Sequence, residues 1–157
     1  MPYGAVMTAD IHRGEFTLST DKSRLDIDCL HSFLSRSYWS QGLPRSVLEE
    51  AIAHSICFGL YLGSEQVGFA RVITDRSTFA YLADVFIIPA CRGKGLAKWL
   101  LQSIMKHEEL QGLRRFMLAT RDAHALYRQF GFEPVLQPSR LMEILHPDPY
   151  GADPAAG

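Results

Sequence analysis

The chain has 157 residues, which is close to the commonest length of a single domain. Apolar residues make up 47% of it and charged residues 21%, proportions typical of a globular protein that buries a hydrophobic core. With 16 basic and 17 acidic side chains, the net charge is −1. This balance argues against a protein that coats nucleic acid, because such proteins carry a large basic excess.

The cysteine spacing and the hydropathy of the chain exclude further classes of protein. The three cysteines lie far apart, at Cys29, Cys57 and Cys91, so neither a disulfide framework nor a zinc knuckle is expected, and no metal site is predicted. No apolar run approaches the roughly 20 residues of a membrane span, and the first residues lack the apolar stretch of a signal peptide. A cytoplasmic protein without membrane contact is therefore the expectation.

Periodicity along the chain predicts a mixed sheet with helices on its faces. Three apolar strands with short connections follow two helical segments and imply an antiparallel meander. Asp21 is expected to cap the first helix, Leu43-Pro44 to open the second and Gly112 to close the third. The predicted strands are 15–20, 56–62, 67–74, 78–88, 116–119, 132–136 and 141–145, and helical periodicity runs over 25–34, 47–52, 96–107 and 122–130.

The two ends differ from the middle of the chain. Residues 1–14 show no sustained periodicity, and residues 146–157 contain three prolines, which continue neither helices nor sheet ladders. Both ends are therefore predicted to be flexible, around a single domain at 15–145.

The most informative segment runs directly from a buried strand through Arg92-Gly93-Lys94-Gly95 into a helix. Glycine lets backbone amides approach a ligand closely, and a helix N-terminus favours negative charge, so the segment predicts a phosphate or pyrophosphate site. It is neither a Walker A loop nor the dinucleotide fingerprint, since Lys98 stands where that motif has its third glycine. A plain strand–turn–helix connection is the alternative.

A second segment, TRDAHALYRQFGF at 120–132, lies about thirty residues further on. Together the two segments resemble the GNAT superfamily of acyl-CoA-dependent N-acyltransferases. Residues 92–97 match the family's Q/R-x-x-G-x-G/A loop at each fixed position. The later motif, Ala-x-x-Leu-Tyr-x-x-x-Gly-Phe, is matched by Ala123, Leu126, Tyr127, Gly131 and Phe132.

The resemblance covers roughly residues 15–145 and implies the GNAT-like α/β fold. That fold has a central mixed, mostly antiparallel sheet of six to seven strands, flanked by about four helices. Acetyl-CoA would lie where the strand ending at Ile88 splays from the strand at 116–119, and an amide near Ile87 would polarise the thioester carbonyl. The implied cofactor-binding residues are Phe86, Ile87 and Ile88 for pantetheine and the amides of Arg92, Gly93, Lys94, Gly95, Leu96 and Ala97 for pyrophosphate.

The resemblance also implies catalytic roles. Tyr127 would protonate the leaving CoA thiolate; its alternative is an aromatic that fills the gap between helix and sheet. Thr120 stands where many members have an asparagine that holds pantetheine, and Asp122 is predicted to cap the following helix. Asp84 is the best-placed general base for the acceptor amine, with a water wire or a purely structural acid as alternatives.

The acceptor pocket is expected between the first helices and the hairpin. Its candidate residues are Tyr38, Trp39, Arg71, Arg76 and Tyr81, with Tyr81 also a second candidate base. The alternative for the exposed Tyr-Trp pair is a hydrophobic clasp over the sheet, and for Tyr81 a core aromatic.

These residues predict an N-acetyltransferase that moves the acetyl group of acetyl-CoA to a primary amine of a small molecule or peptide, by direct attack in a ternary complex. A non-catalytic acyl-CoA-binding regulatory module and a structural protein that has lost the ligand are the alternatives. The expected partners are acetyl-CoA and the amine, with no nucleic acid, and a homodimer is left open.

Overall fold

The computed structural model describes residues 10–151, and their strands form one sheet in the order of the chain. Neighbouring strands are antiparallel except for the last pair, which is parallel. The predicted mixed, mostly antiparallel sheet is thereby confirmed. The strands are β1 (Ile11–Arg13), β2 (Phe16–Ser19), β3 (Ile56–Leu62), β4 (Glu65–Thr74), β5 (Phe79–Ile87) and β6 (Arg115–Leu118).

Within the described residues, four α-helices flank this sheet, as expected. They are α1 (Ile27–Leu34), α2 (Arg45–Ala53), α3 (Leu96–Lys106) and α4 (His124–Arg128). The fully buried Leu30, Leu34 and Leu48 of α1 and α2 pack with Phe69 and Phe86. The apolar stripe of α3 and the partly buried side chains of α4 instead belong to a second cluster with Phe58 and Leu60. Because β3 alternates Cys57 toward one cluster and Phe58 toward the other, we place α1 and α2 on one face of the sheet and α3 and α4 on the other.

A bulge in β5 shapes the centre of the sheet. Phe69 pairs with Phe86 and Arg71 with Ala83, so two residues of β5 face a single residue of β4. Asp84 takes up the extra length with φ 56, in the left-handed region that aspartate tolerates better than most residues. On its other edge, β5 pairs with β6 only as far as Leu82 and Leu118. Beyond these residues the two strands diverge, which is the splay expected from the resemblance.

Two predicted strands are wrong. Residues 132–136 and 141–145 form no strand within 10–151, although both are short segments rich in apolar residues. Four of their side chains are more than half exposed, so the surface that would bury them is not supplied by the described residues of this chain. Conversely, β1 lies within the segment 1–14, for which no regular structure was predicted. It is an exposed edge strand, and such a strand has no buried apolar residues from which its sequence would predict it.

Several helix ends also differ from the prediction. Asp21 accepts from the Ser23 amide and caps a 3₁₀ turn, whereas Asp26 caps α1. Pro44 occupies the N-cap of α2 rather than its first turn, and α3 ends at Lys106, followed by a separate 3₁₀ turn. Thr120, not Asp122, accepts a hydrogen bond from the Ala123 amide before α4. These are choices between neighbouring capping residues, which local patterns separate poorly.

Candidate active site

A cavity of about 540 Å³ opens at the splay between β5 and β6. Its walls are formed by the α1–α2 loop, α2, β4, β5, the end of β6 and α4. It brings together seven residues that the sequence singled out, namely Tyr38, Trp39, Arg71, Tyr81, Asp84, Thr120 and Tyr127. Its wall ends on β5 at Val85, so Phe86, Ile87, Ile88 and the glycine loop lie along the same strand but outside the cavity.

The open edge of β5 differs from the expectation at one residue. The Ile88 amide donates to the Val67 carbonyl at 2.9 Å, so Ile88 cannot present a free N–H to pantetheine. Because strand amides alternate between the two edges, Ile87 faces the splay, and so does Val85, which the sequence reading missed. The Ile87 carbonyl accepts from Arg92 Nε at 3.0 Å. We therefore expect one hydrogen-bonding edge at Val85 and Ile87, and it connects the cavity to the glycine loop.

The glycine loop has the backbone that close approach to an anion requires. Gly93 and Gly95 have φ values of 79° and 76°, a conformation that side-chain-bearing residues rarely adopt. Within residues 10–151, no acceptor is found for the amides of Gly93, Gly95, Leu96 and Ala97. The Arg92 amide, by contrast, donates to the Pro89 carbonyl at 3.2 Å, and its part in holding pyrophosphate stays a prediction. The start of α3 thus offers unpaired donors at the positive end of a helix.

Two side-chain cations stand beside this loop. Lys94 places its Nζ 5.9 Å from the centre of the Phe16 ring. Arg13, which the sequence did not single out, brings its guanidinium within 4.0 Å of the point where a Cβ would stand on Gly95. Arg13 belongs to β1. Because the sequence did not predict this strand, it gave no reason to place Arg13 beside the glycine loop.

Asp84 is held by two hydrogen bonds, one to each of its carboxylate oxygens. Arg71 Nε donates to Asp84 Oδ2 and Trp39 Nε1 donates to Oδ1, both at 2.9 Å. The side chains of Arg71 and Asp84 are only 15% and 9% exposed, and Arg71 also donates to the Ser55 hydroxyl. The three residues, here called the Asp84 cluster (Trp39, Arg71 and Asp84), connect the α1–α2 loop to both central strands. Buried ion pairs of this kind fix geometry, since removing one partner leaves an uncompensated charge.

Tyr127 lies on α4 and reaches the opposite wall of the cavity. Its ring packs edge-to-face on Phe132, with 6.0 Å between ring centres. Burial raises the pKa of Tyr127, and the nearby Tyr38 phenol raises it further. The neutral, proton-carrying phenol is therefore the favoured form, as a proton donor needs. Thr120, also in the wall, accepts a hydrogen bond from the Ala123 amide, and its hydroxyl can still donate one.

Aromatic side chains form the outer part of the cavity. Tyr38 and Trp39 are 54% and 43% exposed and meet edge-to-face at 5.1 Å between ring centres. The central carbon of the Arg121 guanidinium lies 3.9 Å from the centre of the Tyr38 ring. Arg121 also lines the cavity, although no sequence signal marked it. Arg76 is not part of the cavity wall, because it forms an ion pair with Glu109 elsewhere on the surface.

The family model of the GNAT acetyltransferases matches residues 27–132, which contain the loop, the Asp84 cluster and Tyr127. This chain belongs to the GNAT family. The chain is 39% identical to a Gibberella zeae protein described as an acetyltransferase, a match that covers 73% of this chain and 77% of the relative. It is therefore an acyltransferase.

Solved structures agree with this family and with the fold. A Xanthomonas campestris protein assigned to the GNAT family is 48% identical and superposes with a TM-score of 0.85, over 90% of this chain and 99% of that one. A Clostridium acetobutylicum protein described as an acetyltransferase was solved with acetyl-CoA. It shares 14% identity and a TM-score of 0.60, over 83% of this chain and 94% of its own, so the likeness is one of fold.

The described residues lack two kinds of feature. Among residues 10–151, no group of three or more histidine, cysteine or acidic side chains could hold a metal ion. No helix in the described part of the chain is long and apolar enough to cross a membrane.

Proposed function

We propose that this enzyme is an N-acetyltransferase that moves the acetyl group of acetyl-CoA to the primary amine of a small molecule or peptide. The observation that carries the proposal is the continuity of β5. One end of the strand leads into the unpaired amides of the glycine loop, and its bulge lies in the wall of a cavity that also contains Tyr127. An extended donor along this edge would bring its thioester to the cavity, where an amine can reach it.

On the donor side, the residues present fit acetyl-CoA. The amides of Gly93, Gly95, Leu96 and Ala97 would hold the pyrophosphate, and the Arg13 and Lys94 cations add positive charge. The open edge of β5 would pair with pantetheine as an added strand would, with the Ile87 amide available to polarise the thioester carbonyl. Phe86, like Ile88, would contribute through strand geometry rather than through an amide on this edge.

On the acceptor side, the Asp84 cluster and the aromatic wall would receive the amine. Attack of the neutral amine on the thioester carbon forms the C–N bond and breaks the C–S bond. The CoA thiolate takes a proton from Tyr127, and the proton lost by the amine passes to Asp84 or to a water chain. A direct transfer is favoured because none of the three cysteines lines the cavity, and Cys57 and Cys91 are buried.

The test is release of free thiol from acetyl-CoA in the presence of a panel of amines and amino-terminal peptides. The proposal expects amine-dependent thiol release and an acetylated product, identified by its added mass. Tight binding of CoA with no turnover on any acceptor would instead favour a regulatory acyl-CoA-binding module.

Replacement of Asp84 by asparagine separates its two candidate roles. Because both carboxylate oxygens are engaged in the Asp84 cluster, we expect a positioning role and a loss of kcat by a similar factor at pH 7 and pH 9. The uncompensated Arg71 should also lower stability, by up to about 3–5 kcal/mol. The measurement is kcat against pH, at a temperature where circular dichroism shows the variant folded. Recovery of kcat at high pH, where more acceptor is already neutral, would assign Asp84 the role of general base.

A further inference from the structure

The charged side chains in the wall of the candidate active site are paired with one another. Arg71 and Asp84 form one pair, 2.9 Å apart, and Arg121 and Asp122 form the other, 3.5 Å apart at the rim. Among the described residues of the wall, these four are the ionised side chains, so their charges cancel. A carboxylate, a phosphate or a second ammonium on an acceptor would therefore meet no unpaired counter-charge, and burying such a group without a partner is costly.

The rim of the cavity exposes apolar surface instead of unpaired charge. Tyr38, Trp39 and Val47 are between 40% and 54% exposed, and all three line the cavity. Val47 belongs to α2 and shares a face of that helix with Ala51, one turn further on, which also lines the cavity. Single exposed apolar side chains are common on proteins, but several that meet in one concave place mark a ligand site.

Three partly buried tyrosines line the same cavity. Tyr81 alternates on β5 with Ala80 and Leu82, which belong to the core cluster on the α3 side, so Tyr81 lies on the face of α1 and α2. Tyr150 joins the hydrophobic cluster of these two helices, and Tyr127 comes from α4. Together with the two aromatic residues of the rim, they offer rings on several sides of the cavity. Aromatic side chains hold an aromatic ligand through offset or edge-to-face contacts.

We propose that the acceptor is an arylalkylamine, a small monoamine in which a short uncharged carbon chain joins the amino group to an aromatic ring. The inference rests on the proposed acetyl transfer and adds the class of amine. The ring would pack among the aromatic side chains, with the amino group toward the open edge of β5. Transfer joins the amine nitrogen to the acetyl carbon, releases the CoA sulfur and passes one proton from nitrogen to sulfur. The cavity, about 540 Å³, is within the range of about 300–1,000 Å³ usual for small-molecule sites.

The paired charges disfavour other classes of amine. An amino acid brings a carboxylate, an amino-sugar phosphate brings a phosphate, and a polyamine brings a second ammonium. Asp84 is not free to receive that second ammonium, because both of its oxygens already accept hydrogen bonds. Asp122 is 70% exposed and lies beside Arg121, so water and the guanidinium weaken its attraction for a cation.

The first experiment compares kcat/KM for matched pairs of amines, each at equal concentrations of the neutral form. Phenylethylamine should exceed ethylamine by at least about tenfold, because its ring adds apolar contact. Butylamine should exceed diaminobutane, and phenylalanine amide should exceed phenylalanine, since the second member of each pair carries a charge that the wall does not pair. Equal values within the first pair, or no preference against the charged member of the other two, would overturn the assignment.

Failure of this assignment is distinguishable from failure of the proposed function. Thiol release that is indifferent to the body of the amine would overturn the assignment and leave the acetyl transfer in place. Acetyl-CoA binding with no thiol release for any amine would overturn both. Calorimetry on the CoA-bound enzyme measures acceptor binding without turnover. Phenylethylamine should bind at least about tenfold more tightly than ethylamine there, and equal affinities would overturn the assignment.

A pair of variants tests the apolar rim. Val47→Asp places an unpaired carboxylate there, and it should lower kcat/KM for phenylethylamine by about tenfold and raise that for diaminobutane. Val47 is 40% exposed, so the change should not unfold the chain, and KM for acetyl-CoA should remain the same. Ser46→Asp adds the same charge at the preceding position of α2, outside the cavity wall, and should keep the unmodified ratio of the two kcat/KM values. The same ratio in both variants would refute the assignment, because the acceptor would then not lie against this rim.

Discussion

Replacement of Tyr127 by phenylalanine is expected to lower kcat by about ten- to a hundredfold and to leave KM for acetyl-CoA nearly unchanged. The change removes one hydroxyl and keeps the ring that packs on Phe132, so the cavity wall should persist. A general acid often contributes more, but a thiolate leaves fairly well unaided, and the raised pKa of Tyr127 makes its phenol a weaker acid. These two considerations place the effect at the low end of the usual range.

The raised pKa of Tyr127 also predicts how kcat depends on pH. Because burial raises the pKa of Tyr127 above its ordinary value of about 10, its phenol remains protonated through neutral and mildly alkaline pH. Deprotonation of Tyr127 should therefore not reduce kcat at any pH below about 10. A fall in kcat at lower pH must come from the titration of another group. The measurement is kcat from pH 6 to pH 10 for both proteins.

A matched control is available for Tyr127. Tyr61→Phe also removes a buried hydroxyl, one that has no hydrogen-bond partner within the described residues and lies outside the cavity wall. It should leave kcat unchanged. If Tyr127→Phe retained full kcat while the chemical step limited the rate, Tyr127 would have only a packing role.

Replacement of Gly95 by valine is expected to weaken acetyl-CoA binding by at least tenfold, which corresponds to about 1.4 kcal/mol. Gly95 has φ 76, and a β-branched residue is strained there, so the loop must change its backbone to accept the new side chain. That change would move the amides of Leu96 and Ala97, which we expect to hold pyrophosphate. The binding constant is measured by calorimetry with CoA and acetyl-CoA.

Gly112→Val is the control that separates the effect of backbone strain from the effect of losing the pyrophosphate site. Gly112 also has a positive φ, 70°, and no atom of the described residues lies within 4 Å of the position of its Cβ. It follows α3, whereas Gly95 precedes that helix, so it carries the same backbone penalty far from the loop. The control should lose stability to a similar degree and bind acetyl-CoA normally. Unchanged CoA affinity in folded Gly95→Val would remove the loop from the binding site.

Local signals were sufficient for much of the fold. The strand at 56–62 is confirmed residue for residue, because an apolar run between polar turns has few other solutions. The helix that begins at Leu96 is likewise confirmed, since Gly95 ends the loop and an amphipathic stripe follows. The same kind of local signal misassigned helix caps, where neighbouring acidic or hydroxyl residues compete for one position.

The assembly of the cavity depended on contacts far apart in the chain. Trp39 donates to Asp84 over a sequence separation of 45 residues, and Arg71 completes the cluster from the neighbouring strand. The sequence could mark Asp84 as an unusual acid in an apolar strand, but not name the donors that hold it. The bulge that places Asp84 in the cavity follows from pairing with β4, which no local pattern shows.

By itself, then, the sequence determined the order of helices and strands from β2 to α4 and the glycine loop, because backbone conformation and periodicity are set by residues a few positions apart. The candidate proton donor came from the resemblance of its motif to the GNAT family. Only the tertiary structure decided which amides of β5 face the splay, how Asp84 is held and that residues 132–145 leave the sheet. Each of these depends on which strand edge is already paired. A short apolar segment favours a strand, but which strand edge is open to pair with it is a property of the assembled sheet.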